Sequence, residues 1–270
     1  MCEIPLDTEY ISELAEEHRA WLSSYGSKHL ANWDRLLKGN VEAACCEAAF
    51  KRLLDSFGVK VEPNELLRAD GSGPDFRCSS HGSHFYMEVT CVLRSTATQK
   101  SGILEEPTRC VPSDPFGVID AIFSECANKA SQCRDMDAPT IVAVGTFHSN
   151  AAMICVKRAY VTSVLTGKSK MAWDIDTCTG QQTGDSYQVT ALEKAAFLKP
   201  DLREGVGFAR CSISAVLLCG LGISRCLGVL HPNPARPFDP SLLPSIDFGS
   251  VEIDRTTCQL RVHWTGGGDD

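Results

Sequence analysis

A single carboxylate, Glu88, stands in the middle of the apolar run Phe85-Tyr86-Met87-Glu88-Val89-Thr90-Cys91-Val92-Leu93. The run is rich in aromatic and β-branched residues and reads as a strand. Alternation puts Phe85, Met87, Val89 and Cys91 on one face and Tyr86, Glu88, Thr90 and Val92 on the other. Burying the acid is costly unless a partner compensates its charge. A second acid, Asp75 in Gly73-Pro74-Asp75-Phe76, begins the preceding strand. The segment Ser79-Ser80-His81-Gly82-Ser83 reads as the hairpin turn between the two. An antiparallel register then sets residues 75 to 77 opposite residues 87 to 89, so the two carboxylates converge. A shared divalent cation is one partner that would compensate them, and oxygen-only ligands suit Mg²⁺ or Mn²⁺ rather than zinc.

The neighbouring elements frame this pair. Leu14, Ala15, His18 and Trp21 recur at helical spacing, as do Leu30, Trp33, Leu36 and Leu37, and Gly26 separates the two sets. Residues 41–57 form the clearest helix, with Cys46, Phe50, Leu53, Leu54 and Phe57 on one stripe and Gly58 as its natural stop. Val59-Lys60-Val61 reads as a short strand. A loop is expected through Pro112 and Pro115, then a helix over 118–133, then a buried strand at Thr140-Ile141-Val142-Ala143-Val144-Gly145. Further on, 151–165 is expected to contain a helix, 180–186 a polar loop and 189–198 a helix. Strands are expected over 212–221 and 226–230.

The order from residue 41 is helix, strand, strand, strand, helix, strand. With Pro74-Asp75 and Glu88-Val89-Thr90 it resembles the PD-(D/E)XK, or restriction-endonuclease-like, nuclease superfamily over residues 41–146. The resemblance implies an α/β fold with a mixed sheet flanked by helices. It makes Asp75 and Glu88 metal ligands for Mg²⁺ or Mn²⁺, with an acid of the first helix beside them. Glu47, eleven residues before Gly58, is preferred to Glu42 for that role, and the two lie about 140° apart around the helix. In the family the ion lowers the pKa of a water that attacks phosphorus in line. Thr90 stands where the signature has lysine. It is expected to hold the water by a hydrogen bond, while Arg94, Lys100 and Lys129 are candidates for the missing cation. The resemblance thus gives Glu47, Asp75, Glu88 and Thr90 as catalytic residues of a nuclease acting on DNA before RNA. The alternative is a nuclease fold that binds nucleic acid, or assembles with partners, without cutting.

The domain reading is an N-terminal helical addition at 1–40, the nuclease-like core at 41–146, a C-terminal extension packed on it at 147–264, and a flexible tail at 265–270. The extension is where specificity or a homodimer interface is expected. A net charge of -8 argues against a broad basic clamp on duplex DNA. The cations Arg35, Lys38, Lys51, Arg52, Lys157, Arg158, Lys168 and Lys170 read as scattered solvated positions. The 14 cysteines include no Cys-x-x-Cys pair and read mostly as small buried hydrophobes of a reducing compartment. No apolar run approaches the ~18 residues of a membrane span, and the first residues lack the pattern of a signal peptide. A cytoplasmic protein with no membrane partner is expected. His81, His84 and His148 are further candidate site residues, and Asp174 with Asp176 a candidate second acidic site. Ordinary structural or solvated roles are preferred for each.

Overall fold

The first core helix fixes the rest of the molecule. It is the third helix, α3 (Val41–Ser56), after α1 (Thr8–Ser23) and α2 (Ser27–Gly39). Asn40 caps α3, its side-chain oxygen accepting the Ala43 N–H at 3.0 Å. Gly58 ends the helix at a φ of 73°. In this computed structural model, which describes residues 8–64, 73–105, 113–223, 225–254 and 259–266, α3 lies between the sheet and the pair α1–α2. That position buries Ala44, Cys45, Cys46, Ala48, Ala49, Phe50 and Leu54, a wider surface than one amphipathic stripe supplies.

The strands β1 (Lys60–Pro63), β2 (Phe76–Ser80) and β3 (Ser83–Cys91) form an antiparallel meander. His81 and Gly82, both at positive φ, make the two-residue turn between β2 and β3. Phe76 pairs with Met87 and Arg77 with Tyr86. Continued by one residue, that register sets Asp75 opposite Glu88.

The chain then crosses to a parallel strand, β4 (Thr140–Thr146), which pairs Val142 with Glu88. The crossover carries two helices rather than a loop and one helix. The loop expectation is corrected by α4 (Arg94–Ser101), whose sequence Arg-Ser-Thr-Ala-Thr-Gln-Lys-Ser shows no apolar period. The carboxylate of Glu42 accepts the Arg94 N–H at 2.9 Å at its start, which satisfies an N-terminal donor and suits the helix dipole. Gly102 closes it in the left-handed region. The second crossover helix is α5 (Phe116–Lys129).

The rest of the chain extends the same sheet. After α6 (Ser149–Cys155) and α7 (Arg158–Thr166) come β5 (Lys168–Ile175) and β6 (Gln182–Ala191), a separate hairpin. A 3₁₀ turn at Leu192–Lys194 leads to a second small hairpin, β7 (Leu198–Asp201) and β8 (Gly205–Phe208). Strand and turn therefore replace the polar loop expected at 180–186 and the helix expected at 189–198. The final strands, β9 (Ala215–Gly220), β10 (Arg225–Leu230), β11 (Asp247–Asp254) and β12 (Gln259–Trp264), complete one eight-stranded mixed sheet in the order β1-β2-β3-β4-β9-β10-β11-β12. The segment expected as an extension packed on the core is thus in good part continuous with it. Within the expected tail, Thr265 is tied to Phe248 by both its N–H and its hydroxyl.

The result is an α/β architecture of three layers. On one face α1, α2 and α3 cover Phe85, Met87, Val89 and Ile141. On the other, α5, α6 and α7 cover Val142, Val144, Val216 and Leu218. Gly145 permits the close seating of α3, because a Cβ there would stand 2.8 Å from Cys46 Sγ and 3.0 Å from Phe50. One cysteine expectation is corrected. Cys219 is not an isolated buried thiol but is disulfide-bonded to Cys226, its direct cross-strand neighbour on β10, at a Cα–Cα distance of 4.3 Å. Among the described residues, no helix is long and apolar enough to cross a membrane.

Candidate functional site

Asp75 and Glu88 come together where β3 approaches its C-terminal end. The loop before β2 is pinned there: Asp75 Oδ2 accepts the Val89 N–H at 2.7 Å. Glu88 is 1% exposed and faces the layer that contains α5. Its Oε1 accepts a hydrogen bond from Lys129 Nζ at 2.6 Å. Lys129 is the last residue of α5, so the helix delivers its cation to the sheet from a different layer. Burial works to lower the ammonium's pKa, but the charge and hydrogen bond of Glu88, followed by the charges of Asp75 and Glu47, outweigh it and raise the pKa above the ordinary lysine value.

Of the three cations suggested by sequence, Lys129 alone makes this contact. Arg94 is buried and its guanidinium engages Glu105, with Nε 2.8 Å from Oε1. Lys100 Nζ is 3.5 Å from Ser124 Oγ. Thr90 shares the strand face of Glu88, and its hydroxyl donates to Glu125 Oε2 at 2.8 Å. Glu125 lies one helical turn before Lys129 on α5, so both reach the same side of the sheet. Sequence reasoning missed Glu125. Its four-residue spacing from Lys129 was the available signal.

The two acids of α3 have different surroundings. The Glu42 carboxylate holds the start of α4 through the Arg94 N–H. Glu47 lines a cleft together with Asp75, His18, Asn32, Trp33 and Arg35. This cleft holds about 480 Å³ and is walled by α1 and α2. His18 is 3% exposed between the rings of Trp21 and Trp33, at centroid distances of 4.9 and 4.3 Å. Burial, helped by the charge of Lys51, pushes its pKa down to about 3, so the imidazole is neutral at pH 7.

The other histidines lie apart from the carboxylates. His81 occupies the exposed hairpin turn. His84 is beside Tyr86 and Asp137. His148 is fully buried and caps α6, its Nδ1 accepting the Ala151 N–H at 3.1 Å. Its Nε2 therefore carries the proton and lies 3.2 Å from the Ile103 carbonyl. Asp176 accepts from the backbone N–H groups of Cys178 and Thr179 and shapes the β5–β6 turn.

Among the described residues, no group of three or more His, Cys, Asp or Glu side chains is arranged to hold a metal ion. The donor set at the sheet end is instead two carboxylates, a third acid across the cleft, and a lysine on Glu88. Comparison of the chain with family models, with curated proteins and with solved structures gave no match.

Proposed function

We propose that the protein is a divalent-cation-dependent nuclease of the restriction-endonuclease-like kind, hydrolysing nucleic-acid phosphodiester bonds at the Asp75–Glu88 end of the sheet. The observation that carries this reading is the Lys129–Glu88 contact at 2.6 Å. It supplies, from α5, the cation that the Thr90 position lacks. An acid pair with a lysine on one member combines a hard-ligand set with a positive charge that can orient a water and stabilise charge on a phosphoryl group. Mg²⁺ is commonly held by one or two carboxylates, with waters and phosphate oxygens completing its shell. Asp75 and Glu88 fit such a site, and Glu47 is the third acid within electrostatic reach. When bound, the ion would polarise the phosphate and lower the pKa of a water.

In this reading Asp75 and Glu88 bind the cation, and Lys129 holds its proton and aligns Glu88. Thr90 acts through Glu125, as a positioning residue rather than as the holder of the attacking water. A second reading, a protein that binds nucleic acid without cutting it, is favoured by the same contact. Lys129 occupies an oxygen of Glu88 that a cation would need.

The test is incubation of the purified protein with supercoiled DNA, single-stranded DNA and RNA, in Mg²⁺, Mn²⁺ or EDTA. Cleavage is expected with either ion and not with EDTA. Asp75→Asn and Glu88→Gln are each expected to reduce it by about 10²–10³-fold, the scale of removing a preorganised charge interaction. Thr90→Ala is expected to reduce it less than about tenfold, because it removes one hydrogen bond of ~1 kcal/mol. Tight binding with no cleavage under any ion selects the second reading.

A further inference from the structure

α2 is a cationic helix in an acidic protein. Its sequence carries Lys28, Arg35 and Lys38 against one acid, Asp34, while the chain as a whole is at -8. Asp34 is neutralised by Arg19 of α1, at 2.5 Å. The three cations are exposed and make no ion pair with a described residue. At 100° per residue, Lys28, Asn32, Arg35 and Gly39 fall within roughly 60° of one another, with Lys38 at their flank. Leu30, Trp33 and Leu37 lie on the opposite side, packed into the core.

This strip has a destination. Asn32, Arg35 and Gly39 line the cleft of about 480 Å³ that also contains Glu47 and Asp75. Arg35 Nη2 donates to Asn32 Oδ1 at 3.1 Å, which orders the guanidinium at the rim. From Lys28 to Lys38 the strip runs about 15 Å along the helix axis, the rise of roughly four stacked nucleotides. The cleft volume lies within the range of small-ligand pockets, ~300–1,000 Å³, and suits one nucleotide rather than a duplex. His18, Trp33 and Phe76 also line the cleft but are buried, so the strip would hold a strand through its phosphates rather than by stacking on its bases.

We propose that α2 is a track for single-stranded nucleic acid: the Lys28–Asn32–Arg35–Gly39 face, with Lys38, holds the phosphates of an unpaired strand and feeds one nucleotide into the cleft that ends at Glu47 and Asp75. The track rests on nucleic acid being the substrate, and it names the form of that substrate. It also explains how a protein of net negative charge engages a polyanion, by presenting one narrow positive strip instead of a broad surface.

The experiment measures binding of labelled 12-nucleotide single-stranded DNA, single-stranded RNA and the matching duplex by fluorescence anisotropy, in an Asp75→Asn background and across a salt series. The triple variant Lys28→Ala/Arg35→Ala/Lys38→Ala is expected to bind single strands at least tenfold more weakly. The slope of log K against log salt is expected to fall by about 2, at ~0.7 for each phosphate that is no longer neutralised. An equal charge change elsewhere, Lys157→Ala/Lys199→Ala/Arg225→Ala, is expected to change binding less than threefold. All six positions are exposed, so neither triple removes core packing. Equal losses in both triples, no loss in the first, or tighter binding of the duplex overturns the track. If the α2 triple variant with Asp75 intact cuts single strands with unchanged KM, the track fails while the nuclease reading stands. If the α2 triple loses binding but the wild-type protein cuts nothing, the track stands and the hydrolytic reading fails.

Discussion

Lys129→Met is expected to destabilise the protein by about 3 kcal/mol, because it takes the cation from a buried carboxylate. Glu88 is 1% exposed and the Lys129 side chain 26% exposed, so little solvent remains to screen the charge left behind. Urea denaturation of Lys129→Met, Glu88→Gln and the double variant measures the coupling. The double variant is expected to recover most of the stability, since it removes the charge along with its partner. Additive losses would show that the pair carries no coupling energy, and would weaken the case that Lys129 serves Glu88. The same set separates stability from chemistry. The double variant is expected to be folded and inactive.

Acid is expected to destabilise the protein through His18. Its folded pKa is lowered to about 3, from an ordinary 6.5. The unfolded chain therefore takes up a proton on His18 through pH 6.5 and the folded chain does so only near pH 3. A group with a depressed folded pKa of this cationic kind binds more protons when unfolded, so stability falls as pH drops from about 6.5 toward 3. The slope is about 1.4 kcal/mol per pH unit once below the unfolded pKa. Between pH 6.5 and 5 the expected loss is about 2 kcal/mol, before most carboxylates titrate. His148 and His231 are also lowered, by burial first, and add slope of the same sign. The informative measurement is therefore the difference between wild type and His18→Phe. The variant should lose less stability over this window, and a slope identical to wild type would show that His18 is not held neutral.

Much of the site's frame was legible because it is local. The β2–β3 register follows from the His81-Gly82 turn and strand alternation, and it brings Asp75 beside Glu88. The α3 helix was legible from Asn40 to Gly58. What the sequence concealed depends on contacts between layers. Lys129 could be named only as one of three cations, since nothing local says which one crosses to β3. Glu42 and Glu47 are told apart by what they face, the start of α4 for one and the cleft with Asp75 for the other, not by any property of α3. The α4 helix offers no periodic apolar stripe to read, since its sequence is polar and it is held by Glu42 at its start and by the buried Ala97. The joining of β9 to β4 is a pairing between distant segments, invisible to any window along the chain. Arg35 and Lys38 looked scattered because their common face appears only when α2 is set against the cleft.

The geometry of the cleft is governed in part by a residue that touches neither of its acids. Gly145 lies on β4 beneath α3, against Cys46, Phe50 and Leu221. Its missing side chain sets how near α3 comes to the sheet, and with it the gap between Glu47 on the helix and Asp75 at the strand end. Position 145 thus acts as a spacer. One added methyl group would be felt as a displaced lever arm, with α3 as the arm and Cys46 and Phe50 as its bearing. In the proposed nuclease, affinity for the cation would change at this point with Glu47, Asp75 and Glu88 all left in place.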